Sequence, residues 1–227
     1  MIEINKIYLG DCLEIMKQIP DKSIDLICTD PPYGVNYEGG YGIKNIKREK
    51  LKNDDEVKIY KHIFKEFYRI LKDKGSVYCF YPASKEREIF PYLWETNFVH
   101  RNTLIWNKSN IKYASLNTRY HHCFEPILYL NKPNQTTIWN GGTKEKDIWT
   151  MMRNPQNIFH PTQKTIDVMM RMIKNSSNEG DIVLDPFCGS GTTCLASKYL
   201  KRNYIGIEIN EKYVNICNQR LKQNTLI

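Results

Sequence analysis

The 227-residue chain has no run approaching the roughly 20 consecutive apolar residues that a membrane-spanning helix needs. Its first residues, MIEINKIYLGD, lack the basic-then-apolar pattern of an export signal, so the expectation is a cytoplasmic protein with no membrane partner. No Cys-x-x-Cys pair occurs. The seven cysteines are odd in number and scattered through strand- and helix-like segments, which is the usage of reduced thiols and not of a disulfide framework. His121, His122 and Cys123 form half of a metal-ligating pattern, but no second cluster accompanies them, so no metal is expected. Internal repeats and low-complexity segments are absent too. Acidic residues are the minority among charges, 25 against 33 Lys and Arg. The resulting net charge of +8 favours a polyanionic partner without identifying it. The excess concentrates in IKNIKREKLK (43–52) and recurs through 101–119.

What is present is an alternation. Strand-like apolar runs exchange with helical patterns along most of the length, which predicts an α/β fold with a parallel-rich sheet and helices on both faces. Seven strands are expected, over 6–9, 24–28, 76–81, 98–108, 124–131, 181–186 and 204–209. Helices are expected over 11–19, 55–72, 84–95, 165–173, 191–200 and 210–222. The first has Asp11 as N-cap, Glu14 completing a variant capping box, and Pro20 as its end. The second repeats Tyr60, Ile63, Phe64, Phe67, Ile70 and Leu71 at helical spacing, with Gly75 as a stop. Residues 34–54, rich in Gly and Lys and without a period, read as a mobile basic loop. Residues 109–122 and 132–158 read as loops or a small appended substructure. No composition break marks a second domain, so 1–227 is taken as one.

Two segments carry chemistry. In TDPPYG (29–34), two prolines follow the apolar run IDLIC and cannot continue a central strand, because neither has the N–H that a ladder needs. The strand therefore stops at Asp30, and a stiff turn holds Asp30, Pro31, Pro32 and Tyr33 at its carboxyl end, where open α/β sheets bind ligands. In LDPFCGSGTT (184–193), a strand runs into a glycine turn and a helix start. Gly189 and Gly191 let backbone approach a ligand, and Ser190 and Thr192 can donate to it. Cys194 stands where a dinucleotide fingerprint has its third Gly, and no Gly-Lys-Ser/Thr follows for a P-loop. Glu208 ends the next strand, where a carboxylate suits a ribose diol.

TDPPYG, HPTQK (160–164) and LDPFCGSGTT, in that order, resemble the S-adenosylmethionine-dependent DNA amino-methyltransferases, which methylate the exocyclic amine of adenine or cytosine. The order resembles that of their permuted β group, and the likeness runs from GDCLE to the last helix. It implies a seven-stranded doubly wound, Rossmann-like sheet, with the strand before DPFCGSG beside the strand before DPPY. It implies S-adenosylmethionine as cofactor. Asp185 would lie near its methionine amine, Phe187, Cys188, Gly189, Ser190, Gly191 and Thr192 would wrap it, Glu208 would hold its ribose, and His160, Thr162, Gln163 and Lys164 would border its methionine tail. Asp11 would meet the adenine amine, with the helix cap as the rival role. Asp30 would face both cofactor and target, and with Pro31 and Pro32 would grip the target amine, while Tyr33 stacks on a base extruded from double-stranded DNA. Asp at the first motif position leans towards adenine N6 over cytosine N4. No cysteine follows a proline, which argues against carbon-5 cytosine chemistry. The stretch 109–158 is expected to be the target-recognition insert, with Tyr113, Asn117, Arg119, Tyr120 and WNGG (139–142) as base readers or intercalators. Arg101, Lys108, Lys112 and Arg119 are phosphate contacts, and a homodimer and a cognate restriction endonuclease are permitted.

Overall fold

The computed structural model describes residues 2–33, 57–108, 123–133, 136–151 and 164–222. In chain order these form β1 (Lys6–Leu9), α1 (Cys12–Met16), β2 (Ile24–Thr29), α2 (Ile59–Ile70) and β3 (Leu71–Phe80). A single 3-10 turn (Ala83–Lys85) leads to α3 (Glu86–Trp94), β4 (Val99–Asn107), β5 (Phe124–Asn131) and β6 (Ile148–Thr150). Then come α4 (Ile166–Ser176), β7 (Ile182–Asp185), α5 (Thr192–Tyr199), β8 (Asn203–Glu208) and α6 (Glu211–Lys222). The strands make one sheet in the order β1-β8-β7-β2-β3-β5-β4-β6, and only β5 runs against its neighbours.

Both faces are covered, which is why the central strands are near-continuous apolar runs. Every residue of β2 is buried. On one face Ile27, Val77, Cys79, Leu184 and Ile205 pack under α1, α2 and α3, whose contribution includes Met16, Phe64, Phe67, Ile89 and Leu93. On the other, Leu26, Cys28, Tyr78, Phe80 and Val183 meet Val168, Met169, Met172 and Ile173 of α4, so its Met and Ile stripe is core. α5 and α6 close that face beside β1 and β8 through Leu195, Val214 and Leu221.

The topology fixes where a ligand can sit. From β7 the chain passes through α5 to β8 on one side, and from β2 it passes through α2 to β3 on the other. β7 and β2 are adjacent, with Leu26 opposite Val183 and Ile27 opposite Leu184. The connections thus part between their carboxyl ends, leaving the crevice where doubly wound sheets bind ligands.

The sheet has eight strands where seven were expected. The extra one, β6, buries only Trp149 between exposed Ile148 and Thr150, too short a pattern to read as alternation. α1 is shorter than 11–19, because after Met16 the bonds tighten to Gln18 N–H to Ile15 O and Ile19 N–H to Met16 O. Asp11 does cap it, but Glu14 turns outward to Lys17 and does not complete the box. α2 ends at Ile70, since Leu71 is already extended and pairs with Ile24. Gly75 is therefore no helix stop. It lies inside β3, where a Cβ would stand 2.7 Å from the Asp25 carbonyl oxygen, beside the register shift between Ile24 and Leu26.

Candidate active site

The turn after β2 is fixed by side chains from distant elements. Asp30 Oδ1 accepts from the Tyr33 hydroxyl at 2.8 Å, and its Oδ2 meets Lys164 Nζ at 2.8 Å. Lys164 stands two residues before α4 and is buried, with 6% of its side chain exposed. Its ammonium also contacts Glu125 Oε2 at 2.6 Å and the Tyr33 hydroxyl at 3.3 Å. Glu125, second in β5, accepts on its other oxygen from Lys108 at 2.9 Å. Two carboxylates and two ammonium groups thus form one neutral chain beneath the turn. Asp30 keeps a fifth of its side chain exposed, so it is reachable from the crevice. Pro31 behind it is buried.

Burial sets the acidities. It pushes the Asp30 carboxyl up, an effect the Lys164 ammonium partly offsets and the Glu125 charge reinforces. Burial also acts on Glu125, but the Lys164 and Lys108 ammonium groups more than reverse it and hold the carboxyl at about 2. For Lys164, burial opposes the charge and the two carboxylates outweigh it, so its pKa is raised.

The turn after β7 is held mainly by backbone. Gly189 and Gly191 take φ of 50° and 81°, conformations that disfavour a Cβ. At Gly191 a Cβ would also lie 2.0 Å from Cys217 Sγ of α6. Gly189 N–H donates to Glu208 Oε2 at 2.9 Å, and Asn210 N–H donates to Oε1 at 2.8 Å, so the β8 acid braces the turn. Cys188 N–H donates to the Ile207 carbonyl. Arg220 of α6 donates to the Ser190 carbonyl and to Ser190 Oγ and Thr192 Oγ1. Those two hydroxyls accept from Arg220 and keep their own O–H groups to donate.

Asp185 joins the two turns. Its Oδ1 accepts from Thr29 Oγ1 at 2.9 Å and Phe187 N–H at 3.1 Å, and its Oδ2 accepts from Thr193 Oγ1 at 2.6 Å. Burial raises its pKa to about 7 against the pull of these donors. Thr29 and Asp185 are 156 positions apart in sequence. At the same edge Gly10 N–H donates to the Glu208 carbonyl, and Leu9 and Ile209 leave apolar surface exposed, 52% and 37%.

Residues 24–219 match the DNA methylase family of N6 and N4 methyltransferases. This chain belongs to that family. The type II methyltransferase M.HinfI of Haemophilus influenzae is 33% identical over 97% of this chain and 69% of its own length. The DNA adenine methyltransferase YhdJ of Escherichia coli is 29% identical over 96% of this chain and 83% of its own. Among solved structures, the M1.HpyAVI–SAM complex superposes with a TM-score of 0.77 at 30% identity, covering 96% of this chain and 99% of that one. The family drawn from the three sequence motifs is the family found.

Within this DNA methylase, the DPPY turn, the glycine turn and Glu208 meet at one end of the sheet. Asp11 caps α1 through Oδ1, which accepts from Leu13 and Glu14 N–H. Lys164, expected to border a methionine tail, grips Asp30 and Glu125 through its ammonium and so supports the β2 turn. His160, Thr162 and Gln163, the 34–54 loop, and Tyr113, Asn117, Arg119, Tyr120 and Lys112 lie outside the described residues. Lys108 pairs with Glu125, whereas Arg101 is exposed. WNGG sits at the far end of the sheet, where Ile138 N–H bonds the Lys74 carbonyl, so it does not line this crevice. Sequence reasoning missed Thr29, Glu125 and Arg220. For Glu125 a signal existed, an acid followed by Pro at the head of an otherwise apolar strand, FEPILYL. Among the described residues no metal-ligating group of three forms, and no helix is long and apolar enough to cross a membrane.

Proposed function

We propose that this DNA methylase transfers a methyl group from S-adenosylmethionine to the exocyclic N6 of an adenine extruded from duplex DNA. The observation that carries the reading is the Thr29–Asp185 hydrogen bond, which puts the DPPY turn against the glycine turn at one crevice. The donor set suits the cofactor. Glu208 is held at a strand end for a ribose, Leu9 and Ile209 offer apolar walls for a purine, and buried Asp185 offers a carboxylate to an ammonium. When bound, the cofactor would supply an electrophilic methyl group on a sulfonium sulfur, which departs as a neutral thioether when the C–S bond breaks.

The chain's own residues then answer the difficulty of the nucleophile. An exocyclic amine is weakly nucleophilic because its lone pair is delocalised into the ring. Methylation makes that nitrogen tetrahedral and positive until it gives up a proton to solvent, so acceptors aimed at it favour the transition state. Asp30 Oδ1 is the acceptor at the crevice, made available when the Tyr33 hydroxyl leaves it and the ring turns to stack on the base. The Pro31 carbonyl is the second, fixed by prolines that cannot reorganise. Holding donor and acceptor in contact contributes much of the remaining acceleration, and no covalent enzyme intermediate is needed.

Adenine is favoured over cytosine by Asp at the first motif position and by the relative named as an adenine methyltransferase. Within 109–158, the recognition role is left to the part that precedes β5, since β5 and β6 belong to the sheet, and the basic 34–54 segment contacts phosphate. A cognate restriction endonuclease is the partner suggested by the type II name of M.HinfI, and a second copy is the other. Seven free cysteines fit a reducing cytoplasm. Digestion of DNA treated with enzyme and cofactor, followed by nucleoside mass spectrometry, tests the reading. N6-methyladenine is the expected product. N4-methylcytosine would establish the second reading, and unmodified DNA would refute both.

A further inference from the structure

We propose that Glu125, with Lys108 behind it, is a positioning residue for methyl transfer: it draws the Lys164 ammonium partly off Asp30 and so keeps Asp30 a free enough acceptor for the target amine. The inference rests on the function proposed above. The geometry shows the sharing. Lys164 is closer to Glu125 than to Asp30, 2.6 Å against 2.8 Å, and it reaches both from inside the protein. Its position is fixed further by the rings of Phe80 and Tyr33, 4.7 Å and 5.5 Å away. An ammonium shared between two carboxylates withdraws less from each than one bound to a single partner. Lys108 in turn takes part of the Glu125 charge, at 2.9 Å, which sets how strongly Glu125 can compete for Lys164. No residue of this outer pair is needed to touch substrate.

The chain has a sign that can be measured. The groups facing Asp30 are Tyr33 on its own turn, Lys164 before α4, Glu125 on β5, Asp185 on β7 and Cys79 on β3, with Lys108 one step out and Tyr60 of α2 beyond Tyr33. Removing the Glu125 charge leaves Lys164 to Asp30 alone, which makes Asp30 more acidic and a weaker acceptor. Removing the Lys108 charge strengthens Glu125 beside Asp30 and makes Asp30 less acidic. The two substitutions therefore move the acidic limb of a pH–rate profile in opposite directions.

The test uses the full chain, saturating tritiated cofactor and duplex DNA from a strain without DNA methyltransferases, with kcat/KM for DNA followed against pH so that the limb reports the cofactor-loaded enzyme, in which Asp185 is already ionised. Glu125→Gln is expected to lower kcat at least tenfold and shift the acidic limb down by about one pH unit, with cofactor affinity unchanged. Lys108→Met is expected to shift it up by a similar amount, and Glu125→Asp to restore part of the rate. Limbs that stay in place, or that move the same way in both variants, overturn the proposal. Should Glu125→Gln fail to fold, the Lys108→Met shift decides alone: an upward limb supports the proposal and an unmoved one overturns it. Wild-type enzyme that moves no tritium into DNA would instead refute the proposed function, so the two failures are distinct.

Discussion

The turns after β2 and β7 face each other across one hydrogen bond, yet they are held by opposite means. Charged side chains from β4, β5 and the entry to α4 support the first. Positive-φ glycines packed against α6 set the path of the second, and Glu208 and Arg220 brace it mostly through its backbone N–H and C=O groups. A turn propped by ionisable groups can be altered chemically while its path stays the same. A turn defined by its path tolerates no added atoms. The first is suited to an event in which charge develops, and the second to enclosing a molecule of fixed shape.

The largest expected effect breaks the comparison on the charged side. Asp30→Ala should reduce methyl transfer by about 10³-fold or more, while cofactor affinity by calorimetry stays within a few-fold and the melting temperature falls as buried Lys164 loses one of its two carboxylates. Normal turnover would dispose of Asp30 as the acceptor. On the other side, Gly191→Ala should act on folding. Its Cβ meets Cys217 Sγ at 2.0 Å in a left-handed backbone, and overpacking with that strain is worth about 2–4 kcal/mol. Denaturant melts should show the loss, and Gly191→Ala combined with Cys217→Ala should recover the steric part but not the backbone part. A Gly191→Ala protein of unchanged stability would mean that α6 yields easily.

The smallest effect sharpens the comparison at the shared group. Asp185 has its pKa raised to about 7, burial being the main cause. Only the ionised form attracts the cofactor's ammonium, so affinity is full above that value and falls as pH drops through it. Between pH 8 and pH 6 the dissociation constant should rise roughly tenfold. The Asp185→Asn variant should bind weakly at both pH values, with the dependence gone. A wild-type affinity flat over this interval would remove Asp185 from contact with that ammonium.

The fold was legible where the chain is buried on both faces. IDLIC, SVYCFY, DIVLDP and YIGIEI are continuous apolar runs and became the parallel centre of the sheet. β6 was not legible, because three residues with one buried side chain carry no period. The end of α2 was misread because the hydrophobic pattern runs unbroken through Leu71, and only pairing with Ile24 makes that residue extended. At the site, Asp30, Tyr33 and the glycine turn could be named because prolines and glycines punctuate the sequence locally. The roles of Lys164 and Glu125 could not, since each depends on a partner on another element. Charge pairs at long sequence separation leave no local trace.

The adjacency of β2 and β7 also bears on synthesis. A ribosome completes the DPPY turn early and the strand that flanks it only some 156 positions later. Until β7 emerges, the nascent chain carries β2 with one edge unpaired, at a position destined for the middle of the sheet. Prematurely terminated products lack half of the crevice and should leave the chromosome untouched. A crevice of this kind exists only once both β2 and β7 have been made.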